Sequence, residues 1–181
     1  MKTRTLLLLA CIPLALAACS SSSERSASAP ATMQVDLQRY QGTWYELARL
    51  PMFFQRKCVQ SEAHYALRED GRIDVTNRCR DKDGELSEVN GIAEPQVAGR
   101  TDKLWVRFNN WFSRIAPGLT KGQYWVLYHD PDYKVAVVGH PDRDYLWLLS
   151  RTPEVTPAVR EQLLKVAKDQ GYDTSELIWR K

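Results

Sequence analysis

The stretch Ser61-Glu62-Ala63-His64-Tyr65-Ala66-Leu67-Arg68-Glu69-Asp70-Gly71-Arg72-Ile73-Asp74-Val75-Thr76-Asn77 decides the fold. Ala63, Tyr65 and Leu67 alternate along one half of it and Ile73, Val75 and Asn77 along the other, the period-2 pattern of strands that bury one face. For both sets to point the same way, Leu67 must stand opposite Ile73. That leaves Glu69-Asp70-Gly71 as a three-residue loop with Gly71 at the positive-φ position. The stretch is a hairpin.

The same grammar repeats outward in both directions. Short β-rich runs occupy Thr43 to Leu50, Val59 to Leu67, Arg72 to Cys79, Leu86 to Ala93, Lys103 to Phe108, Gln123 to Tyr128, Lys134 to Gly139 and Tyr145 to Ser150. Asp83-Gly84, His129 to Asp132 and His140 to Asp144 punctuate them with turn chemistry. No long helical pattern interrupts the runs, so the region reads as an all-β barrel or sandwich. Carrying the hairpin's phase along gives inward sets Leu104, Val106 and Phe108, then Tyr124, Val126 and Tyr128, then Tyr145, Trp147, Leu149 and Arg151. Thr156-Pro157 then caps a helix whose Val159, Leu163, Val166 and Ala167 form an apolar stripe, and Gly171 ends it. The stripe is expected against the barrel's outside; lying on a membrane is the alternative. Leu177-Ile178-Trp179 can add a short last strand.

With 181 residues, 44% of them hydrophobic and 26% charged, the chain holds one ordinary domain and is not a disordered or polytopic membrane protein. Its 25 basic residues stand against 22 acidic ones; a leader carrying Lys2 and Arg4 would leave 23 against 22. That near balance excludes a dedicated nucleic-acid binder. There is no Gly-x-Gly-x-x-Gly, no Walker loop, no Gly-x-Ser-x-Gly and no His-Glu-x-x-His, so neither cofactor nor catalytic group is expected. His64, His129 and His140 are scattered, which speaks against a metal site, and the pairs Asp130/Asp132 and Asp142/Asp144 read as turn formers. Glu46 shares the phase of Trp44 and points inward, where a carboxylate needs a partner. Arg107, a tyrosine hydroxyl or a ligand head group could serve.

Residues 1–18 have the order of a secretory signal, Lys2 and Arg4 before the apolar run Leu6 to Ala18. Leu16-Ala17-Ala18-Cys19 resembles the lipobox of bacterial lipoproteins, which implies cleavage before Cys19 and lipidation of it; the absence of Asp after Cys19 resembles outer-membrane sorting. A soluble exported protein with a chance cysteine is the alternative. Residues 19–32 then read as a Ser/Ala-rich flexible tether, and 33–181 as the domain. Export places Cys58 and Cys79 in an oxidising compartment, where a bridge is the default. The hairpin register puts Ser61, not Cys58, opposite Cys79, so the bridge requires a bend or bulge at the start of the second run. Without it, Cys79 would be an inward thiol and a candidate nucleophile.

Gly42-Thr43-Trp44-Tyr45-Glu46, Asp130-Pro131-Asp132-Tyr133 and Leu149-Ser150-Arg151 resemble, in order, the three lipocalin signatures. Gly122 to Tyr128 and Asp144 to Pro153 look closest to the bacterial lipocalins and their apolipoprotein D and temperature-induced relatives. The resemblance implies an eight-stranded antiparallel up-and-down barrel, closed at one end, with one C-terminal helix outside and a small amphiphilic or lipid ligand within. It also implies that Trp44 and Arg151 pack together at the closed end and that Gly42, Trp44 and Arg151 are fold residues. Inward positions higher up become the candidate ligand contacts: Ala63, Tyr65, Val75, Val89, Val106, Phe108, Tyr124, Val126 and Trp147. A solid core is the alternative for each. The loops 50–54 and 109–119 are richer in large apolar residues than solvent requires, which marks them as partner or membrane surfaces. The expectation is thus a lipid-anchored outer-membrane protein facing the periplasm that binds rather than catalyses, with a homodimer as a possible assembly. An isomerase using Cys79 and an interaction module with a filled barrel are the competing functions.

Overall fold

A computed structural model describes residues 28–109 and 121–181. The short helix α1 (Leu37–Tyr40) leads into β1 (Gly42–Arg49), and seven strands follow: β2 (Cys58–Leu67), β3 (Ile73–Asp81), β4 (Leu86–Pro95), β5 (Lys103–Phe108), β6 (Lys121–His129), β7 (Val135–Gly139) and β8 (Leu146–Ser150). Each pairs antiparallel with the next, and β1 pairs with both β2 and β8, closing an eight-stranded barrel. Helix α2 (Pro157–Asp169) and β9 (Ile178–Trp179) complete the chain. Every run anticipated from alternation is a strand, with ends moved by one or two residues, the usual uncertainty of strand ends.

The hairpin register is as its pattern requires: Leu67 pairs with Ile73 and Ala63 with Asn77, and Gly71 has φ +79°. Ser61 stands opposite Cys79, and an irregularity between Cys58 and Gln60 brings Cys58 across to it. The two cysteines form a disulfide with their Cα atoms 5.4 Å apart.

The barrel has a floor and a mouth. At the floor the β2–β3, β4–β5 and β6–β7 turns meet α1; at the mouth are the connections from β1 to β2, β3 to β4 and β7 to β8. Two apolar clusters divide along the wall. The inner one gathers Trp44, Ile73, Val75, Leu104, Val126 and Val138; the outer one packs Leu163 and Ala167 of α2 onto Leu47, Leu127, Val137 and Leu148. Thr156 caps α2 and Pro157 occupies its first turn, as expected. β9 pairs with Ala48 and Arg49, where β1 has parted from β2.

Two expectations are corrected, and one element was not foreseen. A register shift between Val126 and Tyr128 flips the phase of β6, so Tyr128 packs outside and its hydroxyl accepts from Gln162. Residues 28–32 are not free tether. Ser28 carbonyl accepts from Arg143, Ala31 N–H donates to the Gln170 side chain, Thr32 hydroxyl donates to Asp102, and Pro30 is buried. The folded unit therefore begins by residue 28, because Arg143 and Gln170 offer groups that a Ser/Ala-rich segment can bond through its backbone, and Asp102 takes the Thr32 hydroxyl. The helix α1 is a third departure: Asp36 caps it through its side chain, too short for periodicity to reveal. The loop 109–119 and Cys19 lie outside the described residues, apart from Asn109.

Candidate ligand cavity

The barrel encloses a cavity of about 850 Å³, walled in part by the inner cluster, that opens at the mouth. Eight of the nine expected contacts line it: Ala63 and Tyr65 from β2, Val75 from β3, Val89 from β4, Val106 and Phe108 from β5, Tyr124 from β6 and Trp147 from β8. Each is placed by strand alternation, which turns every second side chain inward. Val126 is the exception. It is fully buried beneath the cavity, in the same cluster as Trp44 and Val138, because β6 descends toward the floor there.

The floor is built from the signature residues. The Arg151 guanidinium lies 3.9 Å over the Trp44 ring, and its N–H groups donate to the carbonyls of Arg39, Thr43 and Tyr133. Trp44 donates its indole N–H to the Tyr40 carbonyl at 2.8 Å. Gly42 has φ +89°, and a Cβ there would meet the Arg151 guanidinium.

Three tyrosines form the cavity's lowest polar spot. The Tyr40 and Tyr124 hydroxyls are 2.9 Å apart, and Tyr65 donates to Tyr124 at 3.1 Å. Burial away from water disfavours the phenolate, so the Tyr65 hydroxyl is pushed up to about 12 and those of Tyr40 and Tyr124 rise further. Tyr40 was not legible as a site residue, since α1 places it. Asn77 adds a second polar point: its side-chain oxygen is buried without a partner, on a residue that lines the cavity.

Glu46 points into the barrel, as its phase requires, but its partner is neither Arg107 nor a tyrosine. Arg49 donates to one carboxylate oxygen at 2.7 Å and Gln55 to the other at 2.9 Å. An irregularity between Glu46 and Ala48 turns Arg49 inward, something alternation alone could not foresee. Arg107 pairs with Glu94 on the exterior. The Arg49 guanidinium also holds the carbonyls of Gln55 and Cys58, and Trp147 donates to the Gln55 side chain. Glu46, Arg49, Gln55 and Trp147 thus fasten the β1–β2 connection to the barrel wall. Phe53 and Phe54, on that connection, are 66% and 54% exposed and also line the opening, whereas Met52 is buried.

The histidines do not converge. His64 bonds Thr43, His129 bonds two backbone carbonyls, and His140 lies beside Asp142. Asp130 accepts from the backbone N–H groups of Asp132, Lys134 and Val135, a turn-forming role. Cys79 lines the cavity as half of the disulfide.

A lipocalin-like domain profile matches residues 35–181. The chain is 39% identical over 147 residues to the outer membrane lipoprotein Blc of Citrobacter freundii, covering 81% of this chain and 78% of that protein. It is 37% identical over 145 residues to temperature-induced lipocalin-1 of Arabidopsis thaliana (79% and 77% covered) and 32% identical over 155 residues to bovine apolipoprotein D (82% and 77%). Among solved structures, insecticyanin from the tobacco hornworm superposes with a TM-score of 0.64 at 22% identity, covering 85% of this chain and 84% of its own. Signature residues, closed barrel, C-terminal helix and relatives agree, and the chain belongs to the lipocalin family.

Proposed function

We propose that this lipocalin is a lipid-anchored protein of the bacterial outer membrane, facing the periplasm, that holds a fatty acid, lysophospholipid or similar amphiphile for storage, transfer or membrane maintenance. The observation that carries the reading is the cavity of about 850 Å³, walled by Ala63, Val75, Val106, Phe108 and Trp147 and closed below by the tyrosines. A chain of sixteen carbons gains roughly 10 kcal/mol from burial at ~0.8 kcal/mol per methylene; ordering and immobilisation return several, leaving micromolar or somewhat tighter binding. The relatives named outer membrane lipoproteins and the lipobox-like Leu16 to Cys19 support the anchor.

The competing functions lose ground. A thiol isomerase needs a free Cys79, which is bonded to Cys58. A barrel filled by its own side chains would leave no cavity of this size.

The test is organic extraction and mass spectrometry of residues 28–181 after incubation with a total membrane lipid extract and removal of the excess. One acyl lipid per chain is the expected result. A folded sample carrying none would overturn the proposal.

A further inference from the structure

We infer that the mouth of the barrel is held against the bilayer, with Phe53 and Phe54 inserted and Arg56 and Lys57 at the phospholipid head groups; this rests on the lipid-anchored reading above. The first observation is where the chain leaves the fold. Ser28 is bonded through its carbonyl to Arg143, at 2.6 Å, and Ala31 to the Gln170 side chain. Arg143 belongs to the β7–β8 turn, beyond the pair Gly139 and Leu146. That turn lies at the same end as the β1–β2 connection, because Arg49 pairs with Trp147. From Ser28 the chain runs down the wall, through the bond from Met33 N–H to the Val126 carbonyl, to α1 at the floor. The segment that precedes residue 28 therefore departs beside the mouth. Cys19 lies nine residues before Ser28, a distance of at most about 30 Å when extended.

The second observation is the surface found there. Phe53 and Phe54 pack edge-on with centroids 5.3 Å apart, and Phe54 meets Tyr145 at 5.6 Å, which meets Trp147 at 6.1 Å. These four rings run without a break from the exposed rim to the cavity wall. Exposed aromatic rings joined to a cavity give an acyl chain an apolar path that never crosses water. Arg56 and Lys57 follow the two phenylalanines, and Leu50 to Cys58 contain no acid, so the connection complements phosphate rather than a cation. Asp142 and Asp144 lie in the adjoining β7–β8 turn, with Asp142 beside His140. Arg143 between them is engaged with Ser28 and Gln170.

The strands, both apolar clusters and the disulfide all lie within residues 28–181, so a chain without the leader is the folding unit. Residues 20–181, with six histidines in place of the leader and Cys19, are tethered to phosphatidylethanolamine–phosphatidylglycerol vesicles that carry a nickel-chelating lipid and brominated phosphatidylcholine. A fluorophore is attached either at Phe54→Cys, on the mouth, or at Asp132→Cys, in the β6–β7 turn at the floor. The expected result is at least five-fold stronger bromine quenching at position 54. Equal quenching at both positions, stronger quenching at 132, or none at either would overturn the inference. A second arm follows uptake of a fluorescent lysophospholipid: Phe53→Ser/Phe54→Ser should slow uptake from vesicles about ten-fold more than it slows uptake from dilute monomeric solution, and equal slowing from both sources would overturn the inference. Quenching at 54 with no lipid recovered by extraction would sink the binding function alone, whereas extracted lipid without quenching would sink the orientation alone.

Discussion

Arg151 covers the face of Trp44 at 3.9 Å while its three donor groups reach carbonyls of Arg39, Thr43 and Tyr133. One side chain thereby ties α1, β1 and the β6–β7 turn to the end of β8. Arg151→Ala should lower stability by about 2–3 kcal/mol, a cation–π contact of about 0.5–2 kcal/mol plus charge-assisted hydrogen bonds. Arg151→Lys should lie between the two, since an ammonium keeps the charge and loses the fork that reaches several carbonyls. Urea midpoints at unchanged m-value measure both.

Gly139 is a position where another element packs directly against the strand backbone. A Cβ there would collide with the Tyr172 hydroxyl and approach Leu127 at 2.8 Å. Tyr172 accepts from the His140 N–H at 3.0 Å and donates to its carbonyl at 2.8 Å, fixing the end of α2 to the barrel. Gly139→Ala should cost about 2 kcal/mol or more, the scale of overpacking together with lost hydrogen bonds. Pairing it with Tyr172→Phe should recover part of the loss if the hydroxyl is the obstacle.

Reduction should weaken the fold without dissolving it. The Cys58–Cys79 bridge spans 21 residues, which corresponds to roughly 3 kcal/mol of loop closure. Denaturation with and without a thiol reductant reads the difference. A protein whose midpoint ignored reductant would contradict the estimate.

Alkaline pH should unfold the barrel through its tyrosines. Unfolded, each hydroxyl titrates near 10.0; folded, Tyr65 is pushed up to about 12 and Tyr40 and Tyr124 rise further. Below pH 10 the three are protonated in both states and stability is flat. Above it the unfolded chain holds fewer protons, so stability falls by up to about 1.4 kcal/mol per pH unit for each group. Phenolate absorbance should show these three titrating only as the fold is lost. The Tyr124→Phe variant should lose stability more gently above pH 10.

Cavity and core separate under substitution. Ala63→Phe should fill the middle of the cavity and lower acyl-lipid affinity ten-fold or more, with the urea midpoint nearly unchanged. Val126→Glu places a carboxylate among fully buried apolar groups and should abolish folding rather than binding. Val126→Ala should cost about 2 kcal/mol and leave lipid affinity within a factor of three.

Alternation carried most of this architecture because both strand faces are patterned: Ala63, Tyr65, Val75 and Val106 could be oriented by parity alone. Parity fails wherever a strand gains a residue. The shift after Glu46 turned Arg49 inward to meet it, and the shift after Val126 carried Tyr128 outside; neither irregularity has a marker in the residues themselves. Tyr40 was invisible for another reason, since four residues of helix hold too little periodicity to read. The bulge at Cys58 was legible because a covalent constraint, the bridge to Cys79, could be satisfied in no other register. The hydrogen bonds of Ser28 to Thr32 use backbone groups or partners far along the chain, which composition does not encode.

The arrangement around β1 bears on how the molecule comes into being. Its lower half pairs with β2, but its upper half finds partners only in β8 and β9, so the first strand synthesised waits for the last. Until Ser150 has emerged, the barrel cannot close and its strands keep unsatisfied edges, and such long-range pairing is slow to form. A polypeptide threading through a translocation channel from its N-terminus would therefore carry no finished calyx to be pulled apart.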